Sequence, residues 1–309
     1  MYLNQHTLKR TYLFQGKGLH TGKHVTMTVA PAPENTGILF KRTDMDEDAP
    51  LVEAWVDYVS STSRGTTLKK KGVKVLTLEH LMGALYGLGV DNALISLDSS
   101  EVPILDGSAK LYAEAFSADG LQEQAAPRKY LEVKEPIVCT NSSGSEIRVE
   151  PADEFSVDLT IAFKSKVLAR QDASFNSDMD FAKEIAPCRT FVFFNEIEPL
   201  LRLNLIKGGD LDNAIVIVDD EIPQKRLDHL AKLFNMEKVE RIPEGYLSHI
   251  SLRFPNECAR HKLLDVLGDF SLVGYPVKAK VTAFKSGHSI NTQMAEKLRE
   301  LALKQFNNK

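Results

Sequence analysis

Short apolar stretches separated by polar turns dominate the first quarter of the chain and predict β-strands. Candidate strands cover residues 11–13, 24–30, 38–42, 51–60 and 66–70. From residue 76 the apolar positions recur three or four residues apart, at Leu78, Leu81, Met82, Leu85 and Tyr86. This spacing predicts an amphipathic helix, so the pattern changes from strands to a helix at this point.

The same β-then-α order occurs a second time. An apolar strand at 93–97 and a helix at about 108–118 are followed by residues 120–129, which are polar and aperiodic and predict a linker. Then come strands, a helix around His261, a strand at 277–284 and a helix at about 290–304. The duplication predicts two α+β domains of similar topology, related by a pseudo-twofold, in which His80 and His261 occupy equivalent positions.

One segment has no counterpart in the first half. Residues 188–219 contain a helix candidate at 195–204, weakened by Pro199, between two apolar stretches. The segment looks inserted, and insertions on a repeated scaffold often carry specificity. Periodicity cannot decide whether its apolar side chains form an ordinary core or line an acyl groove; they are Phe191, Phe193, Phe194, Ile197, Leu200 and Leu201.

Charge and cysteine usage narrow the class of protein. The formal net charge of the 309 residues is −4, so no basic surface for duplex nucleic acid is predicted. Local basic patches are still compatible with this net charge. The three cysteines lie far apart, which indicates reduced, packed thiols. No stretch resembles a signal peptide or approaches the roughly 18 apolar residues of a membrane span. We therefore expect a cytoplasmic protein that reaches any lipid substrate from the water side.

A group of histidine and acidic residues is the candidate centre of chemistry. His261 and Asp265 lie four residues apart in a helical context, so both side chains project from one face, as a metal requires of two ligands from one helix. A catalytic zinc usually has three protein ligands and one open position, and the duplication makes His80 the candidate third ligand. A His-x-x-x-Asp pair is also common at surfaces and helix caps, so spacing alone does not decide whether these residues bind a metal.

Two further residues suit proton transfer. Glu79, next to His80, could take a proton from an attacking water, provided that both lie near a helix end, because adjacent helical side chains diverge by about 100°. His288, in a predicted loop before the last helix, is either an ordinary loop histidine or a protonated imidazole that stabilises an oxyanion or protonates a leaving amine. Asp269 could orient it and raise its pKa, and Thr190 offers a hydroxyl donor.

Short motifs spread over about residues 10–298 resemble the UDP-3-O-acyl-N-acetylglucosamine deacetylase family, in the order of that family. They are GKGLHTG at 16–22, LEHLM at 78–82, GVDNA at 89–93, VPILDGS at 102–108, RTF at 189–191, IKGG at 206–209, RHKLLD at 260–265 with GD at 268–269, and KSGH at 285–288. Together these motifs are very specific.

The resemblance implies hydrolysis of the acetamide of UDP-3-O-[(3R)-3-hydroxyacyl]-N-acetylglucosamine, the committed step of lipid A synthesis in Gram-negative bacteria. By motif, the metal ligands would be His80, His261 and Asp265, which suit zinc and also ferrous iron. Glu79 would be the general base and His288 the general acid or oxyanion stabiliser, oriented by Asp269. Thr190 would donate to the oxyanion, and Lys262 would position the substrate.

The resemblance also implies the α+β architecture in detail: two β-α-α-β sandwich domains packed helix to helix, each with an insert. Domain I would cover residues 1–122 with a small strand insert at about 40–70, and domain II residues 130–309 with a β-α-β insert at about 189–219. The second insert would form a hydrophobic passage for the acyl chain, lined by Phe191, Phe193, Leu211, Ala214 and Val216. A monomer is expected, and hydroxamate inhibitors should bind at the open metal position.

The sequence departs from the family pattern at two points. Val192 stands where many members have a small residue, so the width of the passage cannot be inferred from the resemblance. Some members are fused to a 3-hydroxyacyl-carrier-protein dehydratase, which the sequence up to Lys309 does not include. The alternatives are a silent lipid-sugar binding protein, which would have lost Glu79 or a ligand, and a dehydratase or bifunctional enzyme, which needs the second domain. Because Glu79 and all three ligands are present, the enzyme is favoured.

Overall fold

The computed structural model describes residues 2–203, 207–234 and 236–307. Asn204, where the predicted helix of the insert ends, and Ile206 of the IKGG motif lie outside this range, as does the side chain of Leu201.

The first half alternates strands with two helices. In chain order its elements are β1 (Asn4–Leu8), β2 (Tyr12–Lys17), β3 (His24–Pro31), β4 (Ile38–Arg42), β5 (Val52–Glu53), β6 (Val59–Ser61), β7 (Thr67–Lys70), β8 (Val73–Leu76), α1 (Glu79–Leu88), β9 (Ala93–Leu97), α2 (Lys110–Asp119) and β10 (Leu121–Pro127). A single 3-10 turn, Val56–Tyr58, precedes β6.

The second half follows the same plan with additional elements. They are β11 (Leu131–Glu132), β12 (Ile137–Thr140), β13 (Glu146–Pro151), β14 (Ser156–Ala162), β15 (Arg170–Asn176), α3 (Phe181–Glu184), β16 (Phe191–Phe193), α4 (Phe194–Arg202), β17 (Ile215–Ile217), α5 (Gln224–Leu233), α6 (Glu257–Ser271), β18 (Val277–Phe284) and α7 (His288–Asn307). A second 3-10 turn, Leu211–Asn213, precedes β17.

The two large sheets repeat one topology. The first has the order β2-β3-β9-β4-β5 and the second β12-β13-β18-β14-β15, with β11 pairing onto β18. In each sheet the central strand, β9 or β18, is antiparallel to one neighbour and parallel to the other. In each half that strand follows a long helix, α1 or α6. The α+β fold with an internal duplication is therefore confirmed, while the exact domain limits remain a prediction.

Helices α1 and α6 pack against each other and carry the duplicated core. Two glycines allow the close approach, since a Cβ added at Gly83 would lie 2.6 Å from Leu264, and one at Gly268 would lie 2.1 Å from the Glu79 carbonyl oxygen. The leucines on the facing surfaces are fully buried. The contact therefore fixes the position of the first turn of α1 against the middle of α6.

Several predicted boundaries were wrong. The expected linker at 120–129 contains β10, which pairs antiparallel with β1. The sequence of β10 lacks the β-branched pattern of a strand, and β10 forms a strand through its hydrogen bonds to β1, which is distant in the sequence. The separate three-stranded sheet of the first half, β6-β7-β8, covers 59–76, whereas β4 and β5 belong to the large sheet, so the predicted insert at about 40–70 overlaps both sheets. His288 begins α7 and does not lie in a preceding loop.

The inserted segment is larger than predicted. Strands β16 and β17 pair in parallel on either side of α4, and α5 packs on the same unit. Together they bury an apolar cluster that is separate from the main core and includes Phe194, Leu211, Val216, Leu227 and Leu230. The segment therefore has its own small core. In the part of the chain that the structure describes, no helix has the length and apolarity to cross a membrane.

Candidate active site

The first turn of α1 and one face of α6 meet at the floor of a cavity. Glu79 and His80 are the first two residues of α1, so no preceding turn shields either of them, and both adjacent side chains reach the same space. On α6, His261, Asp265 and Asp269 are spaced by four residues and lie on one face. All five side chains are buried.

The three predicted ligands lie together. Asp265 Oδ1 is 3.8 Å from His80 Nε2 and 3.6 Å from His261 Nε2. The three donor atoms all lie within 4.8 Å of one another. Asp265 Oδ1 is buried and has no hydrogen-bond partner, an arrangement that costs free energy unless a cation satisfies it. Two imidazoles and a carboxylate around an unsatisfied oxygen fit a divalent metal such as zinc.

The ligands are in the protonation states that a metal requires. Burial lowers the pKa of His80 to about 3, helped by the neighbouring His261, so its imidazole is neutral. Burial likewise lowers the pKa of His261. Its Nδ1 lies 3.0 Å from the Cys188 carbonyl oxygen and donates to it, which leaves Nε2 as the free lone pair. Although burial opposes ionisation of Asp265, the Lys262 ammonium and the histidines hold its pKa below the ordinary range.

Glu79 has the protonation behaviour of a general base. Burial raises its pKa to about 7, against the opposing charge of His288, and the carboxylates of Asp265 and Asp269 add to the rise. A carboxylate with a pKa near neutral accepts and returns a proton readily. Its Oε1 lies 3.8 Å from His288 Nε2, across the floor of the cavity.

His288 is held as a cation at the start of α7. Burial alone opposes its charge, but the carboxylates of Asp269 and Asp265 raise its pKa to about 10. Its Nδ1 donates to Asp269 Oδ2 at 2.9 Å, and Asn291 donates to the same oxygen at 2.9 Å. The remaining nitrogen, Nε2, faces Glu79 and the ligand cluster. His288 can therefore donate a proton or stabilise a negative oxygen.

Thr66 belongs to the site and was missed by sequence reasoning. Its hydroxyl donates to Asp269 Oδ1 at 2.6 Å, and its backbone N–H donates to Glu79 Oε2 at 3.1 Å. The fully buried Thr66 thus joins the carboxylate of the candidate base to the partner of His288. The sequence carried no signal for it, because a threonine before a strand is common and its contact with Asp269 spans 203 residues.

The cavity above the floor has a volume of about 260 Å³ and an apolar wall. The predicted residues that line it are Thr190, Phe191, Leu211, Ala214, Val216 and Lys262. Phe193 was predicted to line it but does not. It lies two residues along β16, about 7 Å from Phe191, and packs against Phe163. Sequence periodicity could not decide the roles of Ile197 and Leu200, and both line the cavity.

Lys262 and Thr190 border the floor. Lys262 Nζ donates to Asp265 Oδ2 at 2.8 Å and lies 5.6 Å from the centre of the Phe191 ring. Thr190 is held by backbone hydrogen bonds, since its N–H donates to the Gly107 carbonyl and its own carbonyl accepts from Ile215. Both residues therefore lie where the apolar wall meets the polar floor.

Glycines in two of the motifs tether the inserted segment to the first half. Gly107 has φ +76°, and a Cβ there would lie 1.8 Å from the Asn213 carbonyl oxygen. Gly208 donates to the Leu19 carbonyl at 2.9 Å and would collide with Gly18 if it carried a Cβ. The Lys207–Asp210 stretch thus packs against the loop at 16–22.

Comparison with known proteins identifies the family. The family model of UDP-3-O-acyl N-acetylglycosamine deacetylase matches residues 5–231 and 239–300. The chain belongs to this family. A UDP-3-O-acyl-N-acetylglucosamine deacetylase from Myxococcus xanthus is 40% identical over 296 residues, which are 96% of this chain and 86% of the relative.

Bifunctional relatives are also similar to this member of the deacetylase family. The bifunctional enzyme LpxC/FabZ of Porphyromonas gingivalis is 49% identical over 297 residues, 96% of this chain and 64% of the relative. That of Bacteroides thetaiotaomicron is 45% identical over 299 residues, 96% of this chain and 65% of the relative. The chain therefore spans slightly less than two thirds of the length of these bifunctional relatives.

Proposed function

We propose that the chain hydrolyses the acetamide of UDP-3-O-(3-hydroxyacyl)-N-acetylglucosamine to the free amine and acetate, in the committed step of lipid A biosynthesis. The observation that carries the proposal is the meeting of the His80, His261 and Asp265 donors with Glu79 and His288 at the floor of one apolar-walled cavity. Family membership supports the substrate class.

The three donors would hold zinc, although ferrous iron suits the same ligands. Zinc bound there would lower the pKa of a water molecule and polarise the acetamide carbonyl. Glu79 would take the proton as the water oxygen attacks the carbonyl carbon, and its pKa of about 7 supports that transfer at neutral pH.

Collapse of the tetrahedral species requires a proton on the departing nitrogen. His288, charged and directed by Asp269, would first stabilise the negative oxygen and then protonate the amine as the C–N bond breaks. The Thr190 hydroxyl would donate to the same oxygen, and Lys262 would orient the substrate from the edge of the floor. The products are acetate and the amino sugar.

The apolar wall would hold the acyl chain. Leu211, Ala214 and Val216 belong to the inserted segment and face the cavity, together with Phe191. We further propose that the protein acts in the cytoplasm as a monomer and that a hydroxamate binds at the open metal position.

One experiment tests the proposed reaction. Acetate release from the UDP-linked substrate should require a divalent metal, stop in the presence of a chelator, and return when zinc is added back. Glu79→Ala should abolish the release while the metal remains bound. If activity persisted in the presence of the chelator and in Glu79→Ala, the mechanism would be wrong.

A further inference from the structure

The small three-stranded sheet β6-β7-β8 is unusually basic. Residues 59–78 contain five cationic side chains and no acidic one, in a chain whose formal net charge is −4. Lys70 is paired with Glu53 at 2.6 Å on one side of the sheet. Arg64, Lys69 and Lys74 line a cavity on the other side.

Lys69 and Lys74 are directly opposite each other on β7 and β8. Because they pair directly, their side chains lie on the same face at cross-strand distance, and both are exposed. Like charges in this position destabilise a sheet. An anion bound between the two ammonium groups would offset this repulsion.

The cavity under these two lysines suits an anion. Its volume is about 410 Å³, and Ser60, Ser61 and Thr67 are among the residues that line it. No carboxylate lines it among the residues that the structure describes. We call this cavity, defined by Ser60, Ser61, Arg64, Thr67, Lys69 and Lys74, the basic groove.

The basic groove continues into the active-site cavity. His20, Arg64 and Thr77 line both. Arg64 has the left-handed φ of +62°, a conformation that costs a residue with a side chain free energy. The next residue, Gly65, is so close to the candidate base that a Cβ there would lie 2.8 Å from Glu79 Oε1. The loop thus places a cation where the two cavities join.

We infer that the basic groove captures the phosphate groups of an incoming nucleotide sugar and guides the sugar into the active-site cavity. This inference rests on the proposed function, which supplies the anionic substrate. A cleft of one charge sign raises the association rate of an oppositely charged ligand, and the effect decreases with ionic strength. The groove is therefore a capture site in addition to Lys262, which borders the reaction itself.

The test is the ionic-strength dependence of kcat/KM for acetate release. The variant carries Lys69→Gln and Lys74→Gln, and a matched control carries Lys134→Gln and Lys304→Gln, two exposed lysines that line neither cavity. At low ionic strength we expect kcat/KM of the groove variant to be roughly threefold or more below that of the control, with kcat unchanged. The difference should vanish at high salt. Equal salt dependence in both variants would overturn the inference.

Two further measurements separate this inference from its foundation. The groove variant should unfold at the same temperature as the wild type or higher, because a like-charge contact is removed. If the wild-type protein released no acetate, the proposed function would be wrong, and the groove would be tested by calorimetric binding of inorganic pyrophosphate and of UDP. Wild type and control should bind both at least threefold more tightly than the groove variant. Binding of UDP alone would assign the capture to the nucleoside and overturn the phosphate site, as would equal binding by all three proteins.

Discussion

The floor and the apolar wall of the active-site cavity are built differently. Most floor residues come from α1 and α6, which pack in the main core and approach each other at Gly83 and Gly268; His288 comes from the start of α7. Most of the wall comes from the inserted segment, whose apolar cluster is separate from that core. In the proposed reaction, the atoms that take part in bond making are thus fixed by the duplicated scaffold, whereas the proposed acyl-binding surface can vary without disturbing them. Changes in the floor should act on kcat, and changes in the wall on KM.

The largest effect is expected at the floor, from Glu79→Gln. The amide keeps the shape of the side chain but cannot accept the proton of the attacking water. We expect kcat to fall by about 10³-fold with little change in KM, in the range found for general bases. Steady-state acetate release and metal content should be measured together. A loss of less than tenfold in protein that retains its metal would assign the base to another residue.

Gly268→Ala should change the geometry of the floor, although Gly268 itself has no side chain that takes part in the proposed reaction. Its Cβ would lie 2.1 Å from the Glu79 carbonyl oxygen, so α1 must move away from α6. We expect kcat to fall by roughly 10²-fold, because moving a catalytic group by about 1 Å can reduce the rate by that factor. The melting temperature should fall as well, because the helix contact is overpacked. Ser271→Ala is the control and should keep most of the wild-type activity, because it removes only the hydrogen bond from its hydroxyl to the Gly268 carbonyl and adds no atom to the helix contact. Normal activity in Gly268→Ala would mean that the helix contact does not position the base.

Thr66→Val tests the link between the two proton-transfer groups. The substitution removes the hydrogen bond to Asp269 while nearly preserving side-chain volume. We expect kcat to fall roughly tenfold, about 1.4 kcal/mol, with KM within twofold. Thr66→Ser restores the donor and should restore most of kcat. If Ser and Val behaved alike, Thr66 would act by packing alone.

Val216→Phe probes the wall. The larger side chain would enter the cavity, so we expect KM for a long-chain substrate to rise roughly tenfold and KM for a short-chain analogue to change little. Val218→Phe is the matched control, because Val218 is buried in the same cluster but does not line the cavity. Equal effects of both variants on KM would trace the change to general loosening of the insert.

The smallest effect is expected where a first-half loop meets the segment before α6. Asp106 accepts from Arg253 at 2.9 Å; burial opposes its charge, but hydrogen bonds from Ser108 and Arg253 hold the pKa of Asp106 below its usual value. A carboxylate with a lowered folded-state pKa stabilises the fold at neutral pH, and this contribution is lost as the pH falls through that pKa. Asp106→Asn should therefore lower the melting temperature by a few degrees at pH 7.

The gap between Asp106→Asn and wild type should narrow as the pH is lowered below the ordinary value of 3.8. Thermal unfolding monitored by circular dichroism across this range measures it. A gap that is independent of pH would show that the carboxylate charge contributes nothing to stability.

Much of the floor could be predicted because it depends on local periodicity. The spacing of His261, Asp265 and Asp269 is a property of one helix, and the duplication gave a reason for His80 to face them. The position of Glu79 beside His80 at the start of a helix could also be predicted from the sequence. These inferences needed only the helical repeat and the symmetry of the two halves.

The rest depends on contacts between distant segments or on signals that were overlooked. Thr66 reaches Asp269 across 203 residues, and β10 is a strand only because β1 pairs with it. Helix α5 is a different case, since its apolar positions, Leu227, Leu230, Ala231 and Phe234, stand at helical spacing and could have been read. Phe193 could not be placed from periodicity, because side chains two residues apart on a strand share a face whether or not both reach the same cavity.

The metal ligands are the central claim and can be tested most directly by anomalous X-ray scattering. Crystals of the active, zinc-loaded protein, measured on both sides of the zinc absorption edge, should show one strong peak between His80, His261 and Asp265. The same peak should be absent from Asp265→Ala. A zinc peak at another position, or none in crystals of active protein, would contradict the account.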